Sequence, residues 1–281
     1  MSRSGASITL VGGETIPVLG QGTWYMGDQP AKREEEIAAL RRGTELGLTL
    51  IDTAEMYGSG RAESLVGEAI AGLRDEIFLV SKVLPSNASG TDVRRACEAS
   101  LKRLGTDRID LYLLHWSSSF PLEETIRGFE NLRAAGRIRY WGVSNFDVAE
   151  MKALLATPGG SGCAVNQVLY NLTRRGIEYE LLPSCRRQGI PIMAYSPIEQ
   201  GRVLRHPELQ RVARRHGATP AQVALSWVLR QDYVVAIPKA ALRAHVSENR
   251  GALDLRLAGQ DFAELDRAFA PPTGPKPLEM L

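Results

Sequence analysis

The sequence predicts an α/β fold, a (β/α)8 TIM barrel formed by a single domain over residues 1–281. Short apolar runs alternate with amphipathic segments along the chain, which favours a parallel sheet covered by helices. Most of the eight apolar runs start about thirty residues after the preceding one, the average for a barrel of roughly 250 residues. No linker, low-complexity block or domain boundary interrupts this alternation.

The eight predicted strands are apolar runs that end in polar residues. They are VLGQG near 18–22, LTLID near 48–52, IFLVSK at 77–82, IDLYLLH at 109–115, IRYWGVSN at 138–145, AVNQ at 164–167, IPIMAYS at 190–196 and VVAIPK at 234–239. Ahead of them, ITLVGGETIPV places Gly12 and Gly13 between two β-prone runs. This pattern predicts a hairpin, which we expect to cap the bottom of the barrel.

The segments between the strands predict amphipathic helices with recognisable ends. The clearest are EEEIAALRRGTELG (34–47), TDVRRACEASLKRLG (91–105), LEETIRGFENLRAAG (122–136) and TPAQVALSWVLRQ (219–231). Gly47 and Gly105 are suited to end the first two, the Thr-Asp pair at 91–92 to begin the second, and Pro220 to occupy a first helical position. The tail that follows, PPTGPKPLEML, is expected to be mobile.

Composition excludes several classes of protein. With 34 basic and 32 acidic residues, the chain gives no reason to expect nucleic acid or a membrane surface as partner. It has no apolar run of about eighteen residues, and MSRSGASITL lacks the apolar region of a secretory signal. Three widely spaced cysteines indicate reduced thiols rather than a disulfide framework or a metal site. We therefore expect a cytoplasmic protein, and a monomer.

Polar residues at the ends of the predicted strands indicate an active site, because barrel enzymes place their chemistry there. Asp52, Lys82 and His115 end the second, third and fourth strands, and Tyr57 lies in the loop after Asp52. Each has a simpler explanation. Asp52 could cap a helix, Lys82 could be a solvated strand end, and His115 could be a structural hydrogen-bonding group; Tyr57 could merely pack. Four such coincidences on one rim are improbable, so the set predicts a catalytic centre.

Eight motifs then indicate a family. They are LGQGTW (19–24), IDTAEMYG (51–58), SKV (81–83), LYLLHW (111–116), WGVSNF (141–146), NQVLYN (166–171), AYSP (194–197) and IPKA (237–240). In this order and spacing they are strongly specific. The sequence resembles the aldo-keto reductase family over nearly its whole length, and within it the bacterial branch that includes methylglyoxal-reducing members. The resemblance implies a nicotinamide cofactor and a catalytic tetrad of Asp52, Tyr57, Lys82 and His115.

The residue types suit carbonyl reduction, in which hydride delivery leaves charge on the carbonyl oxygen. Tyr57 can donate a proton to that oxygen, although a free phenol has a pKa of about 10. An ammonium at Lys82 would lower that pKa. Asp52 would keep Lys82 charged and oriented, and His115 would orient the carbonyl oxygen or share in proton delivery.

The cofactor cannot bind through a Rossmann fingerprint, because GQGTWYMG has Tyr25 where the third glycine is required. The resemblance instead distributes the site over barrel loops. Ser144, Asn145 and Gln167 match the positions that hold the carboxamide, while Tyr195, for which core packing is the alternative, matches the aromatic under the nicotinamide. Further matches are Ser196, Pro197, Ile198 and Gln200 at the pyrophosphate, where the loop is short, and Thr23, Trp24 and Asp52 near the ribose and the substrate.

The eighth strand leads into residues that predict a preference for NADPH, with NADH used less efficiently. Lys239 matches the lysine that meets the 2′-phosphate, and Glu248 and Asn249 match the pair that contacts the adenine. Two positions depart from the pattern: Ala240 replaces a common hydroxyl residue and His245 replaces a common arginine, although Arg243 is close in sequence. A solvated charge cluster is the alternative interpretation of this stretch.

Aromatic residues near the tetrad predict a pocket for small carbonyl compounds. The candidates for substrate binding are Trp24, Tyr25, Tyr57, His115 and Trp116, with Phe146, Met26 and Met56 as further wall residues. The short tail and the short polar loop after His115 suggest an open, promiscuous site. Methylglyoxal-like 2-oxoaldehydes and aromatic aldehydes are the expected substrates.

Two other functions stay open at this point. A Schiff-base aldolase would use Lys82 as its nucleophile, but it leaves Tyr57 and Gln167 without a role. A non-catalytic regulatory subunit that binds NADPH is the third possibility; the complete tetrad and the lack of an extra N-terminal segment argue against it.

Overall fold

The computed structural model describes residues 7–281 and contains a closed barrel of eight parallel strands. A two-stranded hairpin precedes the barrel. The hairpin strands are β1 (Ser7–Thr9) and β2 (Thr15–Pro17); the barrel strands are β3 (Gln21–Gly22), β4 (Leu50–Asp52), β5 (Phe78–Val83), β6 (Ile109–Leu114), β7 (Ile138–Ser144), β8 (Cys163–Leu169), β9 (Ile192–Tyr195) and β10 (Val234–Ala236).

Each barrel strand pairs with the next in chain order, from β3 to β10. Single parallel bridges between Leu19 and Ala236 and between Gly22 and Lys239 join the two ends of the sheet, so the barrel closes. The predicted fold class is confirmed. Because all strands run the same way, their carboxyl ends meet at one mouth, where polar side chains from different strands can converge.

The α-helices of the described residues 7–281 follow the strands and pack outside the barrel. They are α1 (Arg33–Glu45), α2 (Arg61–Ile70), α3 (Gly90–Leu104), α4 (Leu122–Ala134), α5 (Val148–Ala156), α6 (Leu181–Arg187), α7 (Pro207–Arg215), α8 (Pro220–Val228), α9 (Arg243–Gly251) and α10 (Gly259–Ala268). Within this part of the chain, no helix has the length and apolarity needed to cross a membrane.

The hairpin closes the end of the barrel opposite the mouth. Leu10 and Ile16 are buried in one cluster with Leu50 and Phe78, which stand at the starts of β4 and β5. The turn forms at the predicted glycines, where Gly13 has a φ of +86°. The predicted cap is therefore present, and its buried apolar side chains extend the core at this end of the barrel.

Helix ends follow the expected chemistry with one correction. Gly47 and Gly105 adopt left-handed conformations directly after α1 and α3, and Thr219 forms a capping box with Gln222 at the start of α8. The cap of α3 is Ser89, whose hydroxyl accepts from the Asp92 amide, rather than the Thr-Asp pair. Ser89 has the extended backbone that an N-cap requires, whereas residue 91 already lies inside the helix.

The last segment of the chain, residues 271–281, makes specific contacts with the barrel that the prediction of a mobile tail did not include. It runs back along the barrel to the mouth. Leu278 packs against the main core cluster, Glu279 forms an ion pair with Arg174, and Met280 and Leu281 lie beside the mouth. The tail has little secondary structure, but it contacts the barrel through Leu278 and Glu279.

Candidate active site

The four tetrad residues converge at the mouth of the barrel. Lys82 Nζ, which is fully buried, donates to Asp52 Oδ2 at 2.8 Å, to the Thr53 carbonyl at 2.8 Å and to the Tyr57 hydroxyl at 3.1 Å. The ring of His115 meets the ring of Tyr57 edge-on, with centroids 5.8 Å apart. Asp52 ends β4 and caps no helix, so the simpler explanation of this residue is wrong.

The hydrogen bonds of Lys82 leave the Tyr57 proton free for an acceptor in the pocket. An ammonium has three protons, and those of Lys82 are directed to Asp52, Thr53 and Tyr57. Since Lys82 donates to the phenol oxygen, the phenol hydrogen is not used in that contact. This arrangement is the one that a proton donor requires.

An irregular turn follows Tyr57 directly and leads the chain into α2. Gly58, Ser59 and Gly60 have φ values of +56°, +55° and +87°. A Cβ at Gly60 would lie 2.5 Å from Cδ of Arg103, so only glycine fits there. Arg103 is held in turn by the buried carboxylate of Glu63, at 2.6 Å.

Burial raises the pKa of Tyr57, while the ammonium of Lys82 opposes that effect. The predicted influence of Lys82 therefore has the expected direction, but burial outweighs it, and the phenol is protonated at neutral pH. Burial alone would lower the pKa of Lys82; the carboxylate of Asp52 and the oxygen of Tyr57 instead hold it above its ordinary value. Lys82 is thus a cation, and Tyr57 a neutral acid.

His115 is a neutral imidazole at physiological pH. Burial, with a smaller effect of the Lys82 charge, lowers the pKa of His115 to about 3. Its Nδ1 atom is buried and has no hydrogen-bond partner among the described residues 7–281. His115 therefore carries no acidic imidazolium proton at neutral pH, and its ring can take part only in neutral hydrogen bonds.

Acid should destabilise the protein through His115. Its pKa rises from about 3 in the folded state to 6.5 in the unfolded chain, so below pH 6.5 the unfolded chain binds a proton that the folded one does not. The contribution of His115 to the free energy of unfolding should then fall by about 1.2 kcal/mol between pH 6 and pH 5. Urea unfolding of the wild type and of His115→Gln over this interval measures the difference; equal slopes for the two proteins would contradict it.

A hydrogen-bond network joins the residues that match the carboxamide positions. The Tyr195 hydroxyl donates to Asn145 Oδ1 at 3.0 Å, and Asn145 Nδ2 donates to Ser144 Oγ at 3.2 Å. Ser144 Oγ donates to the Gln167 carbonyl, and Gln167 Nε2 donates to Asp52 Oδ1, both at 2.8 Å. The carboxylate of Asp52 therefore joins this network to the tetrad: its Oδ1 accepts from Gln167, and its Oδ2 accepts from Lys82.

A pocket of about 310 Å³ lies above these groups. Its walls combine aromatic and apolar side chains with a small number of hydroxyl, amide and imidazole groups, the usual composition of a small-molecule site. The lining residues are Trp24, Met56, Tyr57, His115, Trp116, Ser144, Asn145, Gln167, Tyr195, Met280 and Leu281.

Three residues expected at the pocket lie elsewhere. Tyr25 stacks on Trp24 with centroids 4.6 Å apart but is 60% exposed on the outer side. Its backbone has a positive φ of 65°, and its side chain is not among those that line the pocket. Phe146 and Met26 are buried in the core between the barrel and its helices. Successive side chains in a loop point in different directions, so a residue next to a pocket residue in the sequence need not line the pocket itself.

Two pocket residues escaped the sequence analysis. Met280 and Leu281 complete the apolar wall opposite the tetrad. The only signal in the sequence is that the proline-rich tail ends in apolar residues, at Leu278, Met280 and Leu281. The site is consequently less open than a trimmed tail suggests.

The remaining cofactor candidates lie on one side of the mouth, because β9 and β10 are neighbours in the barrel. Thr23 is buried and donates to the Asp52 carbonyl at 2.9 Å, while Gln200, Lys239 and His245 are exposed and Asn249 is buried. After β9 come Ser196, Pro197, Ile198 and Gln200; after β10 come Lys239, Ala240, His245, Glu248 and Asn249.

The side chains present fit a nicotinamide. Tyr195 offers a ring at the pocket wall, and Ser144, Asn145 and Gln167 offer hydroxyl and amide groups, which match both the donors and the acceptor of a carboxamide. The exposed basic side chains after β10 fit a phosphate at the far end of an extended ligand.

Unusual backbone conformations concentrate at this mouth. Of the seven non-glycine residues with positive φ in residues 7–281, all but Tyr233 follow the carboxyl end of a barrel strand. Such conformations are unfavourable and are characteristic of functional sites. The six are Tyr25, Ser59, Asn145, Ser196, Glu199 and Gln200.

Comparisons with known proteins agree with this geometry. The profile of the aldo/keto reductase family matches residues 18–270. The chain is 53% identical to the methylglyoxal reductase YeaE of Escherichia coli over 98% of both chains, and 33% identical to the glyoxal reductase of Bacillus subtilis over 98% of this chain and 97% of that protein. An aldo/keto reductase from Klebsiella pneumoniae, crystallised with NADP and acetate, superposes with a TM-score of 0.96 at 50% identity, covering 98% of this chain and 99% of the other.

Proposed function

The chain belongs to the aldo/keto reductase family, and we propose that it reduces 2-oxoaldehydes and aromatic aldehydes to alcohols, with Tyr57 as the proton donor. Family membership makes it an NADP-dependent oxidoreductase that acts on carbonyl groups. The observation that carries the proposal is the buried Asp52–Lys82–Tyr57 chain at the floor of an aromatic pocket. The methylglyoxal-reducing relative supports the choice of 2-oxoaldehydes.

The proposed mechanism assigns one task to each tetrad residue. Tyr57 gives its hydroxyl proton to the carbonyl oxygen of the substrate. Lys82, 3.1 Å from that hydroxyl, stabilises the phenolate that forms. Asp52 keeps Lys82 charged and fixes the direction of its N–H groups. A well-placed general acid of this kind contributes roughly 10²–10⁴ to the rate.

His115 has an orienting task in this scheme. As a neutral ring beside Tyr57, it can donate one hydrogen bond to the carbonyl oxygen. Because it carries no charge, it does not repel the ammonium of Lys82. Trp24 and Trp116 form the pocket walls on either side and exclude water from the reacting carbonyl.

The cofactor residues are proposed from the same positions. NADPH, when bound, supplies the hydride. We place its carboxamide at Ser144, Asn145 and Gln167, and its ring on Tyr195. The chain then holds the rest of the dinucleotide on the loops after β9 and β10, with Lys239 at the 2′-phosphate. A lysine there favours NADPH over NADH, but without the paired N–H groups of an arginine.

The structure weighs against the aldolase interpretation of Lys82. A Schiff-base lysine must be neutral and accessible to attack a carbonyl. Lys82 is fully buried, its three N–H groups are engaged, and the carboxylate of Asp52 favours its cationic form. Borohydride should therefore trap no adduct on Lys82 in the presence of an aldehyde.

An assay of NADPH oxidation over a carbonyl panel tests the substrate class. Phenylglyoxal should have a lower KM than methylglyoxal, because its ring buries apolar surface against Trp24 and Leu281. Benzaldehyde should also be reduced, and each substrate should show a higher kcat/KM with NADPH than with NADH. If the protein binds NADPH but no carbonyl compound of the panel causes NADPH to be oxidised, a regulatory subunit would be favoured instead.

A further inference from the structure

Arg174 lies where the loop after β8, the loop after β9 and the tail meet. Its Nη1 atom donates to Glu279 Oε1 at 2.5 Å. Its Nε and Nη2 atoms donate to Glu199 Oε1 at 3.3 Å and 3.2 Å. One guanidinium, with its N–H groups fixed in one plane, therefore connects two segments that are about eighty residues apart in the sequence.

The Glu199 end of this connection is buried and well supported. The carboxylate of Glu199 also accepts from Asn171 Nδ2 at 2.7 Å and from Arg202 at 2.9 Å. Asn171 Nδ2 donates in addition to the Ser196 carbonyl at 2.9 Å. These contacts hold the segment 196–202, the same segment to which the pyrophosphate of the cofactor was assigned.

The Glu279 end is exposed and leads directly into the substrate pocket. The side chain of Glu279 is 42% exposed, against 6% for that of Glu199. Solvent screens the exposed pair more than the buried one, so Arg174 should stay with Glu199 when the two segments separate. Met280 and Leu281, the next two residues after Glu279, are pocket walls.

We propose that Arg174 is a positioning residue that couples the cofactor segment 196–202 to the tail 275–281. Occupancy of the cofactor site then stabilises the pocket wall formed by Met280 and Leu281 in the position that receives the carbonyl. The inference rests on the proposed placement of the cofactor on the segment 196–202. It does not require Arg174 to touch either cofactor or substrate.

Hydrogen exchange of the full-length protein with and without NADP⁺ tests the coupling. In the wild type, NADP⁺ should slow amide exchange both in the segment 196–202 and in residues 278–281. In Glu279→Gln the protection of 196–202 should persist, whereas the tail amides should exchange about two- to fivefold faster, as expected for loss of a partly exposed ion pair. The KM for the carbonyl should rise by a similar factor, while kcat stays unchanged. Because coupling between two sites is reciprocal, the Kd for NADP⁺ should rise by no more than that same factor.

Three further variants sharpen the result. Arg174→Lys keeps the charge but has one nitrogen in place of the three that reach Glu199 and Glu279. It should therefore lose the weaker, exposed contact and resemble Glu279→Gln. Arg174→Gln loses both partners and should also weaken NADP⁺ binding. Glu68→Gln makes the same chemical change in the exposed Arg33–Glu68 pair on α1 and α2, and should leave both the tail exchange and the KM at wild-type values.

The outcomes separate the coupling from the proposed function. Protection of 196–202 by NADP⁺ without any effect on the tail of the wild type would overturn the coupling and leave the reductase intact. The same tail response in the wild type and in Glu279→Gln would also overturn it. If NADP⁺ protects the tail but not 196–202, the cofactor placement is wrong, and the coupling through Arg174 falls with it.

Discussion

Tyr57→Phe should lose most of its carbonyl-reducing turnover, by roughly 10²–10⁴. The variant keeps the ring that packs near His115 and Trp24 but has no proton for the carbonyl oxygen. Cofactor affinity should survive, because no cofactor position depends on the hydroxyl. Steady-state kinetics with phenylglyoxal, together with titration of NADPH binding, measures both effects.

A second tyrosine provides the matched control. Tyr112 lies on β6, is fully buried and stacks edge-on against Phe129 outside the barrel. Tyr112→Phe removes the same hydroxyl group at a distance from the tetrad and should leave turnover close to that of the wild type. A Tyr57→Phe enzyme with wild-type turnover, together with an inactive His115→Gln enzyme, would make His115 the proton donor instead.

The fold and the tetrad were predictable because both depend on strand periodicity. Asp52, Lys82 and His115 directly follow apolar runs, and in a parallel barrel that position in the sequence is also a position in space. Only four residues separate Asp52 from Tyr57, so the loop after β4 keeps Tyr57 near the same mouth. Once a parallel barrel is predicted, the positions of these residues along the sequence are enough to predict that they converge at its mouth.

The parts that could not be predicted depend on contacts between distant segments. Nothing in the sequence near Glu279 indicates Arg174 as its partner, so the path of the tail was missed. The direction of the pKa shift of Tyr57 could not be predicted either. The spacing of the residues indicates that the ammonium of Lys82 lies nearby, but it does not show that burial raises this pKa more than the ammonium lowers it. The orientation of Tyr25 depends on a backbone conformation that its residue type does not favour.

Lys82→Met should be both inactive and less stable than the wild type. Methionine fills a similar volume but leaves the carboxylate of Asp52 buried without its cation. Loss of one member of a buried ion pair costs about 3–5 kcal/mol in the free energy of unfolding. Urea unfolding followed by circular dichroism, with turnover measured on the same samples, gives both quantities. Lys152→Met, on the exposed face of α5, is the control and should change stability by less than about 0.5 kcal/mol.

The double variant Asp52→Asn with Lys82→Met separates the electrostatic cost from the loss of catalysis. Asparagine removes the uncompensated charge and can still accept from Gln167 through its amide oxygen. Replacing both members of a buried pair is often neutral for stability, so the double variant should recover most of the stability that Lys82→Met loses. Turnover should stay absent, because the phenolate of Tyr57 would still lack its ammonium. If the double variant is no more stable than Lys82→Met, the destabilisation arises from packing around residue 82, and the charge of Asp52 is not its cause.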